Sequence, residues 1–302
     1  MVSVFNRAVV QLLPLVPRSL VWRFSKRYIA GTTLQDAFSL IRELNDQGIR
    51  ATIDLLGEDS YKAEEARKSR DIYLEALRGI QENQLDCNIS IKLSQMGMRF
   101  DLKLCREISR DLVVAAGDVD NFVRIDMEDS SVTTVTLDIY RELRKEFSQV
   151  GTVVQSYLRR TREDVNDLLA AGPTHLRLCK GIYVESEEIA YKDRQEIRDN
   201  FVAVMEDSLK GGIRRLAIAT HDPYLTDAAE KYIADNKVPK EQYEFQMLLG
   251  VAENLRSELV GRGHPMRVYV PFGEAWYAYS SRRLRENPEI AGHVIKNLFS
   301  SG

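Results

Sequence analysis

The chain has 302 residues, 44% of them hydrophobic, with 42 basic against 45 acidic side chains and a net charge of −3. That length suits one large α/β domain or two small ones with a substantial core, and the near-balance of charge leaves no general electrostatic footprint for nucleic acid. Cys87, Cys105 and Cys179 are scattered without a CxxC spacing, and His175, His221, His264 and His293 form no HxxxH or HExxH pattern, so neither a disulfide framework nor a metal site is expected and a reducing cytoplasm fits best.

From the N-terminus, Arg7, Arg18, Arg23, Lys26 and Arg27 precede the first acidic residue, Asp36, so the first 35 residues carry +5 and the remainder −8. The segment FNRAVVQLLPLVPRSLVWRFSKRYIAG alternates basic and bulky apolar residues. Such a pattern suits a helical arm docked on its own domain or, less often, a helix lying on the inner face of the cell membrane. Pro14, Pro17 and Arg18 interrupt the apolar run far short of the ~20 residues of a spanning helix, and no small-residue cleavage site follows. Residues 1–46 are read as an N-terminal helical arm and 47–302 as the main domain.

Eight short apolar, β-branched runs come next: ATIDLL (51–56), NISIKL (88–93), FVRIDM (122–127), TVVQSY (152–157), HLRLCK (175–180), RLAIAT (215–220), YEFQML (243–248) and MRVYVP (266–271). They recur about every 30 residues, the size of a βαβ unit. Helical patterns such as SYKAEEARKSRDIYLEALRGIQE, TREDVNDLLAAG and FGEAWYAYSSRRLRE lie between or after them. Eight strands alternating with helices predict a closed (βα)8 barrel of the TIM type. An open doubly wound sheet split in two is the weaker alternative, since no low-complexity linker marks a split.

Barrel strands are expected to be almost uniformly apolar, yet every one of these delivers a polar group at or just past its C-terminal end, where barrel active sites lie. In order these are Glu58, Lys92, Asp126, Gln155, Arg177 with Lys180, Thr220 with His221, Gln246 and Tyr269. Singly, Lys92 reads as a snorkelling lysine, Asp126 as a turn cap and His221 as loop structure. Jointly they read as a site. After the eighth strand, Tyr279, Arg282, Arg283 and Glu286 fall at i, i+3, i+4 and i+7 of a helix and share one face. Two guanidinium forks beside Lys92 predict a strongly cationic pocket for a small carboxylate, with Glu286 and Asp126 for a ligand amine. The Lys180-Gly181 pair ending the fifth strand suits a phosphate, while no GxGxxG follows a strand and no GxxxxGK occurs.

From about Gly31 onward the chain resembles the monofunctional bacterial proline dehydrogenases. The resemblance is carried by IDLLGE, IKLSQMG, RIDMED, VVQSYLRR, RLCKGIYVES, ATHD, EFQMLLG and the YxxRRxxE helix at 279–286. It implies a distorted (βα)8 barrel that binds FAD without a covalent bond. It further implies oxidation of L-proline to 1-pyrroline-5-carboxylate by hydride transfer to flavin N5, with electrons passed to a membrane quinone and product taken up by a separate pyrroline-5-carboxylate dehydrogenase. By motif, Arg282, Arg283 and Lys92 hold the proline carboxylate, Tyr269, Tyr279 and Leu248 wall its ring, and Glu286 orients the arginines. Asp126 and Arg177 match catalytic residues, Arg177 also lying near the flavin. Met127, Gln155, Lys180, Gly181, Ile182, Thr220 and His221 match flavin contacts, and Glu58 matches a gating acid. Ile182 and Asp222 depart from the family, which more often has Ala and Asn there. Another flavin-dependent barrel that needs a pyridine nucleotide, a non-catalytic amino-acid binder, and hydroxyproline as substrate remain as alternatives.

Overall fold

A computed structural model describes residues 18–57 and 59–286, apart from the side chains of residues 19, 20, 24 and 282–286. Its eight strands are β1 (Arg50–Leu55), β2 (Cys87–Ile91), β3 (Val123–Ile125), β4 (Val150–Gln155), β5 (His175–Cys179), β6 (Arg215–Ala219), β7 (Tyr243–Leu248) and β8 (Met266–Phe272). All pair in parallel with their sequence neighbours, and β8 pairs with β1, closing the barrel. Each expected strand is present, with no end moved by more than two residues.

The helices are α1 (Arg18–Ser25), α2 (Leu34–Asp46), α3 (Ala63–Glu82), α4 (Leu102–Asp118), α5 (Thr133–Leu143), α6 (Thr161–Ala170), α7 (Arg194–Lys210), α8 (Pro223–Asp235), α9 (Glu253–Gly261) and α10 (Trp276–Glu286). Several begin where the sequence supplies a cap. Thr33 and Asp36 form a reciprocal capping box on α2, and Asp101, Asp193 and Asp222 cap α4, α7 and α8.

The strand pleat sorts the core into two chemistries. Outward-facing Ile53, Ile89, Ile91, Val123, Ile125, Leu176, Leu178, Ile218, Phe245 and Val268 are buried among the helices. The opposite parity carries Thr52, Asp54, Ser90, Arg124, Asp126, Arg177, Glu244, Gln246, Arg267 and Tyr269. The barrel lumen, usually filled by Val, Ile and Leu, is therefore a stack of paired polar groups. Gly151 fits this stack, because a Cβ there would strike the Arg124 guanidinium, which donates to the carbonyls of Thr152 (2.9 Å) and His175 (3.0 Å).

The segment before β1 is built into the domain. Helix α2, placed in the arm on sequence grounds, packs on β1 and β8 and buries Ala37, Phe38, Ile41 and Leu44. Helix α1 packs on α10, with the Trp22 and Trp276 rings 4.7 Å apart and Arg18 4.9 Å above the Tyr277 ring. Two backbone bonds, Ala30 N to Pro271 O (2.9 Å) and Gly273 N to Gly31 O (3.0 Å), strap this segment to the end of β8. Residues 18–31 thus take the docked form, leaving Arg23, Lys26 and Arg27 exposed. Among the described residues no helix is long and apolar enough to cross a membrane, and no His/Cys/Asp/Glu cluster is arranged for a metal.

Candidate active site

The C-terminal ends of the strands open into one cavity of about 1190 Å³. Lys92, Asp126, Met127, Gln155, Arg177, Lys180, Gly181, Ile182, Thr220, His221, Leu248, Tyr269 and Tyr279 all line it. These residues come from seven strand ends and α10, so the fold brings together what the sequence spreads over 188 positions. Glu58 lies outside the described residues, as do the side chains of Arg282, Arg283 and Glu286, although α10 does extend through residues 282–286.

Two ion pairs form the floor. Asp126 Oδ1 accepts from Arg177 Nη1 at 2.6 Å and from Ser90 Oγ at 2.7 Å, and its Oδ2 accepts from the Tyr269 hydroxyl at 2.7 Å. Lys92 Nζ donates to Asp54 Oδ1 at 2.5 Å and to the Tyr269 hydroxyl at 3.4 Å. The Arg177 guanidinium stands 5.2 Å over the Tyr269 ring, a cation–π arrangement that keeps both in register.

Charge follows from this wiring. Burial works against the Asp126 carboxylate, but Arg177 and Lys92 outweigh it and hold the group below the ordinary Asp range. Burial likewise opposes the Lys92 ammonium, and the carboxylates of Asp54 and Asp126 prevail, holding it above its usual value. Burial, with nearby Asp126, raises Asp54 despite Lys92. Burial and the same two carboxylates push Tyr269 well up, so its hydroxyl stays a donor.

The floor is balanced in charge, since Lys92 and Arg177 each meet a carboxylate at 2.5–2.6 Å; the Arg282 and Arg283 side chains on which the expected cationic pocket rests lie outside the described residues. Sequence reading assigned the first strand's contribution to Glu58 and passed over Asp54. The signal was present as an acid at an inward position of an otherwise apolar strand. Ser90 was missed as well, and Gln246, noted as a polar strand end, was given no role.

The outer half of the cavity differs in chemistry. Asp222 gathers three cations: Arg198 in a two-bond fork (2.9 and 2.7 Å), Lys180 Nζ at 3.0 Å and Arg194 at 3.6 Å. These bonds, Arg198 first, hold Asp222 far below the usual range. One carboxylate against three cations leaves a positive excess beside Gly181. Gly181 has φ +107, and a Cβ there would run into the Tyr157 ring, so backbone alone fills this place. His221 Nε2 accepts from Leu248 N at 2.9 Å, which joins the β6 and β7 loops and identifies Nε2 as the acceptor nitrogen. Gln155 donates to the Glu128 carbonyl at 2.9 Å. The Ser130 backbone and hydroxyl both bind Glu185 (2.8 and 2.6 Å), tying the loop after β3 to the loop after β5.

A (βα)8 barrel with ion-paired catalytic-type side chains at the C-terminal mouth is the architecture of a barrel enzyme. The chain belongs to the proline dehydrogenase family, whose model, described as "Proline dehydrogenase", matches residues 37–296. It is 37% identical over 274 residues to Proline dehydrogenase 1 of Bacillus subtilis subsp. natto, covering 91% of this chain and 90% of that protein. It is 32% identical over 286 residues to the proline dehydrogenase of Deinococcus radiodurans, covering 93% and 92%. The crystal structure of proline utilization A from Bdellovibrio bacteriovorus inactivated by N-propargylglycine superposes with a TM-score of 0.81 at 27% identity, over 87% of this chain and 32% of that one. The chain therefore spans about a third of that solved protein. The family relationship makes it an oxidoreductase of the first step of proline catabolism.

Proposed function

We propose that this chain oxidises L-proline to 1-pyrroline-5-carboxylate with FAD bound in the 1190 Å³ cavity. The observation that carries the reading is the Asp126–Arg177 pair beneath that cavity. Arg177 is anchored at Nη1 and Nε, while the buried Nη2 has no hydrogen-bond partner. An orphaned guanidinium donor in a site this large fits a group that accepts negative charge, as a reduced flavin does. The Gly181 backbone and the cation excess around Asp222 fit the phosphates of a dinucleotide. Met127, Gln155, Lys180, Ile182, Thr220 and His221 are proposed as further contacts. Bound there, FAD supplies the hydride acceptor for the proline C5–N bond.

The remaining work falls to the chain. Lys92, with Arg282 and Arg283, is proposed to hold the proline carboxylate, and the two arginines supply the cationic excess that the balanced floor lacks. Tyr269, Tyr279 and Leu248 wall the ring, Glu286 orients the arginines, and Glu58 gates the mouth. Asp126 is a poor base because Arg177 and Lys92 hold it below the ordinary range, so proline reacts as the neutral amine after losing its proton to water. Electrons leave to a membrane quinone, reached by peripheral association through the basic N-terminal segment, and a separate pyrroline-5-carboxylate dehydrogenase consumes the product. The test is oxidation of L-proline by FAD-loaded protein with a soluble quinone and no pyridine nucleotide. Turnover that requires NAD(P), or none with proline, refutes the proposal.

A further inference from the structure

Gln246, an inward-facing residue of β7 at the lining of the cavity, joins two groups whose hydrogen-bonding sense is fixed. Arg177 Nε can only donate, and it does so to Gln246 Oε1 at 2.5 Å. On the other side Gln246 Nε2 donates to Glu244 Oε1 at 2.6 Å. Glu244 is an acceptor because it is ionised: burial pushes it up, but Arg267 at 2.8 Å outweighs that, and with the Gln246 amide brings it to about 2. Arg267 in turn donates to the Ala51 carbonyl at 2.6 Å. A chain of bonds thus runs from the Ala51 backbone through Arg267, Glu244, Gln246 and Arg177 to Asp126. Of the side chains of this length, the amide accepts from a guanidinium and donates to a carboxylate without adding charge at any pH, which a glutamic acid does only while protonated. Both neighbours also fix which end of the amide is oxygen.

The consequence falls on Arg177. Nη1 is held by Asp126 at 2.6 Å and Ser90 at 3.3 Å, and Nε by Gln246. Two anchors on different edges of a planar guanidinium fix its rotation, whereas one would let it pivot. We infer that Gln246 is a positioning residue, which sets the plane in which the Arg177 guanidinium lies at the cavity lining, with the buried Nη2 left unpartnered. This rests on the proposal that Arg177 stabilises reduced flavin, and extends it to a residue that lies outside the proposed contacts.

The experiment measures the two-electron reduction potential of bound FAD, without substrate, in the parent and in Arg177→Met, Gln246→Leu and Gln246→Glu. Arg177→Met should weaken stabilisation of reduced over oxidised flavin about tenfold or more, which is about 30 mV for a two-electron couple. Gln246→Leu should shift it in the same direction, with kcat falling while KM for proline stays within about twofold. Gln246→Glu is nearly isosteric and guards against misfolding of the leucine variant. Its introduced carboxyl, buried against Glu244, has a raised pKa. It accepts from Arg177 in either state, but only below that value, when protonated, does it donate to Glu244 and add no charge. Its deficit against the parent should therefore be full near pH ~8 and shrink to within about twofold near pH ~5.5. A merely structural lesion has no reason to recover on acidification. A Gln246→Glu deficit independent of pH, or parent-like potentials in both Gln246 variants while Arg177→Met shifts, overturns the positioning role alone. An unshifted Arg177→Met overturns the reading of Arg177 and this inference with it.

Discussion

Replacing Lys92 with Met tests the floor of the site as a coupled electrostatic unit. At 2.5 Å the Lys92–Asp54 attraction is about 7 kcal/mol gross at an effective dielectric of 20, and desolvation of several kcal/mol per ion offsets most of it. The net worth of the pair is small, but the cost of removing one partner is not. Asp54, with a side chain 2% exposed, would keep an uncompensated charge or take up a proton. Protonation caps the cost: moving a carboxyl from a pKa near 4 to above 7 takes about 4 kcal/mol at pH 7. Water at the quarter-exposed Lys92 position lowers this, so a loss of about 2–4 kcal/mol is expected at pH ~7–8. The sign with pH follows from linkage. In Lys92→Met the folded pKa of Asp54 lies above its unfolded value, so the folded state binds more protons and stability falls as pH rises through that interval. Asp54 is already raised in the parent, so the two should run together until the pH passes the parent's Asp54 value, above which the variant loses about 1.4 kcal/mol per pH unit relative to it until the cap. Thermal unfolding across this range reads the difference at about 2 °C per kcal/mol for a chain of this size. The double variant Asp54→Leu with Lys92→Met should recover most of the loss, since it leaves no buried ion. A penalty equal at pH ~5 and ~8, or a double variant no more stable than Lys92→Met, refutes the coupling.

The other expectations can be checked separately. Arg282→Met and Arg283→Met should each raise KM for proline about 10- to 100-fold, from charge-assisted bonds of about 1.5–3 kcal/mol, and an unchanged KM in both removes their assigned role. Gly181→Ala should lose bound flavin and melt a few degrees below the parent while remaining folded, because its φ of +107 and the Tyr157 ring leave no place for a Cβ; the ratio of flavin to protein absorbance reports it, and a full flavin complement contradicts the fit. Arg23→Glu with Lys26→Glu alters exposed side chains and leaves the docked face of α1 intact. It should weaken co-sedimentation with anionic liposomes by ~1 kcal/mol or more per residue, and unchanged binding counts against a membrane role for this segment.

What the sequence revealed and what it hid divide along physical lines. Local pattern was enough for the eight strands, because alternating β-branched runs and intervening amphipathic helices are short-range properties. The polar groups at strand ends were legible too, since a charge in an apolar strand is conspicuous: Lys92, Asp126 and Arg177 all reach one cavity. Pairing was not legible. Lys92 meets Asp54 across 38 positions, and Arg177 meets Gln246 across 69, distances that only the closed barrel removes. Counting cations along the sequence left out the carboxylates that Lys92 and Arg177 meet on the floor. Asp222 was visible as a departure from the family, but its capture of Arg194 and Arg198 depends on how α7 lies beside the N-terminus of α8. The arm followed the same rule: its amphipathic composition suited two surfaces, and the Trp22–Trp276 contact with α10 selects the docked one for residues 18–31.

The visible absorption spectrum of the purified, FAD-loaded protein, before and after anaerobic addition of L-proline, tests the central claim most directly. The account predicts a bound-flavin spectrum that bleaches on adding L-proline alone, with no pyridine nucleotide present. Folded protein that takes up no flavin, or bound flavin that stays oxidised with L-proline, contradicts it.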